Sequence, residues 1–369
     1  MASDIPIYLV PRESYSHLAS LLLPHIAQTL VLLRHLQWSH APPQASIYTT
    51  FPFVDPNGVS ITTLPRTFCA ARFDRSAFRG QNLYIFSSLE LDLSAAKSPL
   101  TPTDKLHATA QLLALLAHLH RIDNPFYDFA IPSATIREAD TGMQGSITDR
   151  ILVGSLHSST AQLLEQHGLI HPGAHAYNKY VLAYNPTGTL PPLPEGIAYT
   201  TITAANYNLV MANNSLIRDP QTFANCPTAA IRLVSRKGSG SGVENEGQEG
   251  KGGEGELIAW AFLTGYGSVR SLHVQPEYRG RGLARKVVLK LLEDAWPAEF
   301  VSAAGGERSE PCEERERIFH TDIDPENEAS IRTFVPVGGV MARSQRYWVD
   351  VDLAGAEGAL EMLMNRGGG

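Results

Sequence analysis

Arg279-Gly280-Arg281-Gly282, with Arg285 three residues further on, is the stretch whose residue types and spacing specify chemistry most directly. Glycines admit a left-handed backbone and remove the side chains that hold an anion at a distance. A helix start leaves four backbone amides without an internal partner, and the helix dipole adds partial positive charge there. The three arginines add full charges. Together these features bind an anion, and a phosphate fits them best. The flanking residues frame the turn. Val269, Leu272 and Val274 read as a strand that Pro276 ends. Leu283, Val287, Val288, Leu291 and Leu292 recur at the three-and-four spacing of an amphipathic helix.

Val274-Gln-Pro-Glu-Tyr-Arg-Gly-Arg-Gly-Leu-Ala284 resembles the signature of the GCN5-related N-acetyltransferases (GNAT). That signature is arginine or glutamine, two residues, glycine, one residue, then glycine or alanine, here Arg279, Gly282 and Ala284. Ile318-Phe-His-Thr-Asp-Ile-Asp-Pro-Glu-Asn-Glu-Ala-Ser330 is similar to the second motif of the FR47-like and glycine N-acyltransferase-like branch, where a strand leads into Asn-x-x-Ser. The resemblance spans residues 190–355. It implies an α/β (α+β) fold, a mixed twisted sheet flanked by helices, preceded by a degenerate acyltransferase-like half. The implied co-substrate is acetyl-CoA or another acyl-CoA. Arg279, Gly280, Arg281, Gly282, Leu283, Ala284 and Arg285 would then hold the pyrophosphate. The backbone of Leu272, His273 and Val274 would meet the pantetheine and polarise the thioester, and Asn327 would bond the pantetheine arm.

Acyl transfer from a thioester to an amine needs a polarised carbonyl, a neutral amine and a thiolate that can leave. The amine decides how much help is required. An ammonium of pKa ~8 is about a tenth neutral at pH 7, a cost of about 1.4 kcal/mol, whereas one of pKa ~10.4 costs about 4.6 kcal/mol. The glycine N-acyltransferase-like branch carries a glutamate just before the core of the signature strand. That position is Ser268 here, and a serine is no base unaided. His273 lies on the same strand with an ordinary pKa near ~6.5 and is the candidate base; strand alternation leaves open that it faces core or solvent instead. Glu277 is the weaker candidate, being nearer the phosphate turn. The family's acid tyrosine falls on Phe334, which leaves Tyr347 as candidate acid, or release of the thiolate without one.

A chain of 369 residues with 43% hydrophobic content is long enough for two cores. A net charge of −7 argues against general nucleic-acid binding. Cys69, Cys226 and Cys312 are widely separated, which excludes a cysteine zinc site and a disulfide framework. His118 and His120 lie two apart on a helix, and Pro172-Gly173 separates His171 from His175, so no metal is expected. No Walker or Gly-x-Ser-x-Gly sequence occurs. No basic leader with a long apolar core opens the chain, and no apolar run approaches the ~20 residues of a membrane span. A cytoplasmic protein is the expectation.

Residues 1–188 are expected to form an N-terminal α+β domain. It contains a helix over Pro11–Gln37 interrupted at Pro24, strands over Ala45–Phe53, Thr67–Asp74 and Asn82–Ser87, a helix over Thr103–His120, and a strand and helix over Ile151–Gly168. No catalytic motif falls in it, so its expected role is structural or substrate-shaping. Asn185–Pro194, with four prolines in ten residues, reads as a linker. Residues 189–355 form the expected acyltransferase domain, with strands over Gly196–Thr203, Thr228–Ser235, Glu256–Phe262, Ile318–Ile323 and Gln345–Leu353 around the signature strand. The Gly/Glu-rich stretch 236–256 is expected to be a disordered insertion, and 302–317 a second, polar one.

The function these readings imply is N-acyltransfer from an acyl-CoA to the amine of a small molecule or amino acid, directly within a ternary complex. The partners are acyl-CoA and that amine, with no nucleic acid and no membrane. Two alternatives stand beside it. One is a CoA-binding regulatory protein with weak catalysis, for which Ser268 and Phe334 argue. The other is a protein-lysine acetyltransferase.

Overall fold

The computed structural model describes residues 5–37, 45–54, 60–74, 82–91, 99–122, 150–170, 176–184, 189–213, 226–234, 255–294 and 317–366. The expected insertions at 236–256 and 302–317 fall almost wholly outside them, as do His171, His175 and Cys312. In chain order the elements begin with β1 (Tyr8–Leu9), α1 (Tyr15–Leu22), α2 (Ile26–Gln37), β2 (Ser46–Thr49), β3 (Cys69–Asp74), β4 (Asn82–Ser87), α3 (Pro102–Arg121), β5 (Arg150–His157), α4 (Ser158–Gln166) and β6 (Ala176–Tyr184). They continue with β7 (Ile197–Thr200), α5 (Tyr207–Ala212), β8 (Thr228–Leu233), β9 (Leu257–Leu263), β10 (Val269–Val274), α6 (Leu283–Asp294), β11 (Arg317–Ile323), α7 (Glu328–Phe334), β12 (Gly339–Asp352) and α8 (Gly355–Arg366). No described helix is long and apolar enough to cross a membrane.

The chain separates into two compact units. Of the described residues, one holds those up to Lys179 and those from Ala342 onward; the other holds those from Tyr180 to Met341. The division falls inside β6 and β12, so each unit takes a strand end from a distant part of the sequence. In the first unit β1 to β4 pair antiparallel in order. β5 joins β4 in parallel at Asn82–Leu152 and Leu83–Val153, and β12 pairs antiparallel with β5. Pro24 does what a proline inside a helical pattern must: a tighter turn over Leu23–His25 separates α1 from α2. Those two helices bury Leu18, Leu22, Leu32 and Leu33 against one sheet face. α3 buries Leu112, Leu115 and Leu116 against the other, in one cluster with Ala356 and Ala359 of α8.

In the second unit β7, β8, β9 and β10 form an antiparallel sheet in that order, and β11 neighbours β6. α6 buries Leu283, Val287, Val288, Leu291 and Leu292 with Ala229, Ile231, Ala259 and Ala261 beneath it. A fully buried large aliphatic side chain contributes about 1.5–3 kcal/mol, so this stripe seats the helix firmly. The opposite sheet face carries Trp260, Phe262 and Ala230, packed with Val210 of α5. Both units run through the same order of elements: strand, helical segment, three antiparallel strands, helix, strand, helix.

Candidate functional site

The glycine turn is built as its residues require. A short turn at Pro276–Tyr278 leaves β10, and Gly280 and Gly282 follow at φ +75° and +72°. A side-chain carbon added at either glycine would meet nothing within 4 Å, so the space above the turn is open. The Lys286 amide donates to the Gly282 carbonyl at 3.3 Å and begins the helical ladder. The amides of Leu283, Ala284 and Arg285 therefore precede the ladder, at the positive end of α6. Two arginines brace the turn from below. Arg279 Nε donates to the Val274 carbonyl at 3.0 Å; Arg281 donates to the Glu277 carbonyl at 3.2 Å and lies over the Tyr278 ring. Arg279, Arg281 and Arg285 are all exposed, so their charge reaches the mouth of the turn.

The strand leading into the turn is irregular in a useful way. β10 slips against β9 between Arg270 and His273, with Ser271 at φ +53°. On its other side β10 meets β11 at the single bridge Ser268–His320, beside the bonds His320 N–H to Gly267 O at 3.0 Å and Thr321 Oγ1 to Val269 O at 3.1 Å. Beyond Val269 no β10–β11 pairing is present among the described residues. Gln275 N–H donates to Ile258 O at 2.9 Å, so ladder alternation turns the peptide groups of Leu272 and Val274 away from β9, toward the gap. Along the chain β10 leads directly into the glycine turn. An extended, amide-bearing chain ending in a pyrophosphate matches that shape.

The side chains of β10 divide by face. Leu272 and Val274 pack toward α6, whereas His273 stacks on Trp260 with ring centroids 4.5 Å apart and planes at 20°. His273 Nε2 is buried and has no hydrogen-bond partner among the described residues. Burial lowers its pKa below the ordinary 6.5; a contact from the Gln275 side chain opposes the shift and the Arg279 charge adds to it. The shift favours the neutral imidazole, the form that accepts a proton. Ser268, at the expected glutamate position, is fully buried, and its hydroxyl accepts from Arg270 Nε at 3.3 Å. Glu277 is exposed on the turn.

The remaining sequence candidates are more scattered. Asn327 caps α7, its Oδ1 accepting from the Ser330 amide at 3.1 Å, which leaves its Nδ2 out of the cap. Phe334, at the expected tyrosine position, is 2% exposed in the core under α6 and has no proton to give. Tyr347 pairs through its backbone with Leu156 in the first unit, and its side chain lies outside the described residues. Among the described residues no group of three His, Cys, Asp or Glu could hold a metal. Sequence reasoning did not find the stacking of Trp260 on His273, because cross-strand register is invisible in a single strand's pattern.

The first unit repeats this element order with a different helix start. β4, the counterpart of β10, pairs with β3 in unbroken register from Asp74–Asn82 to Cys69–Ser87. α3, the counterpart of α6, has its start closed by a capping box: the Asp104 amide donates to Thr101 Oγ1 at 3.1 Å and the Thr101 amide to the Asp104 carboxylate at 2.8 Å. The Thr101 bonds, with the Arg66 bond behind them, hold the Asp104 pKa at about 2. The Asp104 carboxylate, ion-paired with Arg66 at 2.9 Å, occupies the helix start where an anion would have to dock.

Residues 4–183 match the model of the acyl-CoA N-acyltransferase verG N-terminal domain, and residues 249–297 match that of FR47-like proteins. Both units thus match models of acyl-CoA N-acyltransferase families, and the fold is that of the GCN5-related N-acetyltransferases. Acyl transfer from a CoA thioester is the chemistry these matches support. An X-ray structure of a Drosophila protein is similar over 95% of this chain and 99% of its own, at 13% identity and a TM-score of 0.55, which is a likeness of fold. A tandem GNAT protein from the clavulanic acid biosynthesis pathway is similar at 12% identity over 94% of this chain and 98% of its own, with a TM-score of 0.43. A GNAT from Sphaerobacter thermophilus is similar at 12% identity over 95% and 96%, with a TM-score of 0.41. No curated protein sequence matches the chain.

Proposed function

We propose that the protein is an N-acyltransferase that moves the acyl group of acetyl-CoA or another acyl-CoA to the amine of a small molecule or amino acid, within one ternary complex on the second unit. The observation that carries this reading is the open edge of β10 leading into the uncapped start of α6. Leu283, Ala284 and Arg285 would donate their amides to the pyrophosphate, with Gly280 and Gly282 allowing close approach and Arg279, Arg281 and Arg285 supplying charge. The backbone of Leu272 and Val274 would hold the pantetheine and polarise the thioester carbonyl, whereas the peptide groups of His273, expected from the sequence to share this role, face β9. Asn327 Nδ2 would add a bond to the same arm. What acyl-CoA supplies when bound is the activated carbonyl.

His273 would take the proton. As the acceptor nitrogen bonds to the acyl carbon and the C–S bond breaks, that nitrogen's proton passes to His273 Nε2 and the thiol departs as thiolate. Tyr347, the acid candidate of the sequence, belongs to the first unit, so the step is written without it and the thiolate leaves unprotonated. A second reading, a CoA-binding protein without useful turnover, is favoured by Phe334 and Ser268 standing where the family has its acid and base. Release of free CoA thiol from acetyl-CoA and benzoyl-CoA over an amine panel separates the two. Amine-dependent release supports the transferase; tight binding with release no faster than hydrolysis supports the silent protein.

A further inference from the structure

The sheet face that carries His273 has an unusual charge balance. On this face, opposite α6, the polar side chains include Arg232, Ser268, Arg270 and His273. Residues 197–213, 226–234 and 257–275, which make β7, α5, β8, β9 and β10, contain no aspartate or glutamate. These elements offer a cationic ammonium approaching His273 arginines and no carboxylate. Arg270 is engaged, its Nε on Ser268 and its guanidinium 5.4 Å from the centre of the Tyr266 ring.

Arg232 is different. It lies on β8 opposite Leu257, one step along the sheet from the row Ala230–Trp260–His273. It is half-buried, its Nε is buried without a hydrogen-bond partner, and no ion pair engages it among the described residues. A guanidinium nitrogen buried without an acceptor is costly, and an anion that reaches the half-exposed group can complete it. Two strand spacings of ~4.8 Å and one two-residue step of ~6.8 Å put the Arg232 and His273 backbones roughly 12 Å apart. An extended arginine and a small amino acid bridge that distance together.

Resting on the transferase reading, we propose that Arg232 binds an anionic group of the acceptor, so that the acceptor is an amine carrying a carboxylate and enters with its amine toward His273. An uncharged or purely cationic amine lacks that anchor. The planar guanidinium suits a carboxylate, which it can grip with two parallel bonds.

The test uses the full chain and three matched pairs of acceptors: glycine, alanine and phenylalanine, each beside its primary amide. Initial rates of thiol release from acetyl-CoA and benzoyl-CoA are recorded. The amide keeps the amine, makes it less basic and removes only the negative charge, so a preference for the acid cannot come from amine pKa. The expected result is a KM roughly tenfold to a hundredfold lower for the acid, the range for one charge-assisted contact. Arg232→Met should raise the KM of the acid to that of the amide with kcat within about twofold, and Arg232→Lys should restore part of it. Equal KM values for acids and amides in the unaltered protein would overturn the inference and leave the transferase standing. Weakened acyl-CoA binding by Arg232→Met, with the acid preference intact, would assign the anion to a phosphate of CoA and also overturn it. No turnover with any acceptor removes the transferase reading, and this inference with it.

Discussion

Replacing His273 by glutamine separates a chemical role from a packing role. The imidazole stacks on Trp260 at 4.5 Å, and loss of such a ring contact costs about 0.5–1.5 kcal/mol. At 1.36 kcal/mol per factor of ten, packing alone can reduce activity by about tenfold at most. Loss of a general base costs about 10²–10⁴-fold. His273→Gln should therefore lower kcat/KM by at least about a hundredfold, while acetyl-CoA binding, which uses the strand's backbone, changes little. The pH dependence gives an independent reading. Burial lowers the His273 pKa below 6.5, so the acid limb of kcat/KM should have its midpoint under 6.5 and vanish in the variant. The same shift affects stability: the folded state binds this proton less readily than the unfolded one. Stability is untouched above pH ~6.5 and falls as pH drops below it. Circular dichroism at each pH keeps unfolding apart from the activity limb. Activity within tenfold of the unaltered protein, or an unchanged acid limb, would refute His273 as the base.

Two further outcomes test the first unit. Arg72 and Asp74 form a buried ion pair at 2.7 Å, each about 95% withdrawn from solvent, so Asp74→Ala should lower unfolding free energy by about 3–5 kcal/mol in urea titration; a loss under 1 kcal/mol would mean water reaches Arg72. Burial pushes the Cys69 thiol up to about 12, so in the native protein it should not react with iodoacetamide at pH 8, and mass spectrometry should find it labelled only after denaturation.

The site's anion end was legible because glycine, arginine and helix periodicity are local signals, and Arg279 to Leu292 contain them all. The helix break at Pro24 and the long α3 were legible for the same reason. What the sequence hid was non-local. Tyr177 to Tyr184 forms most of β6 without a legible strand signal, since its half-buried positions follow no clean alternation. The slip between Arg270 and His273, which decides the face His273 occupies, depends on pairing with β9. The first unit's loss of an anion site is written in Thr101 and Asp104, but their meaning appears only when α3 is set beside α6.

The most direct measurement is calorimetric titration of the full chain with acetyl-CoA and benzoyl-CoA, beside Gly282→Trp. Nothing among the described residues lies within 4 Å of a carbon added at Gly282, so a bulky side chain there obstructs what docks on the turn, at a backbone strain cost of about 1–2 kcal/mol. The account predicts saturable binding of at least one thioester, abolished in a variant that still folds. Absence of binding to both, or binding undiminished by Gly282→Trp, would contradict it.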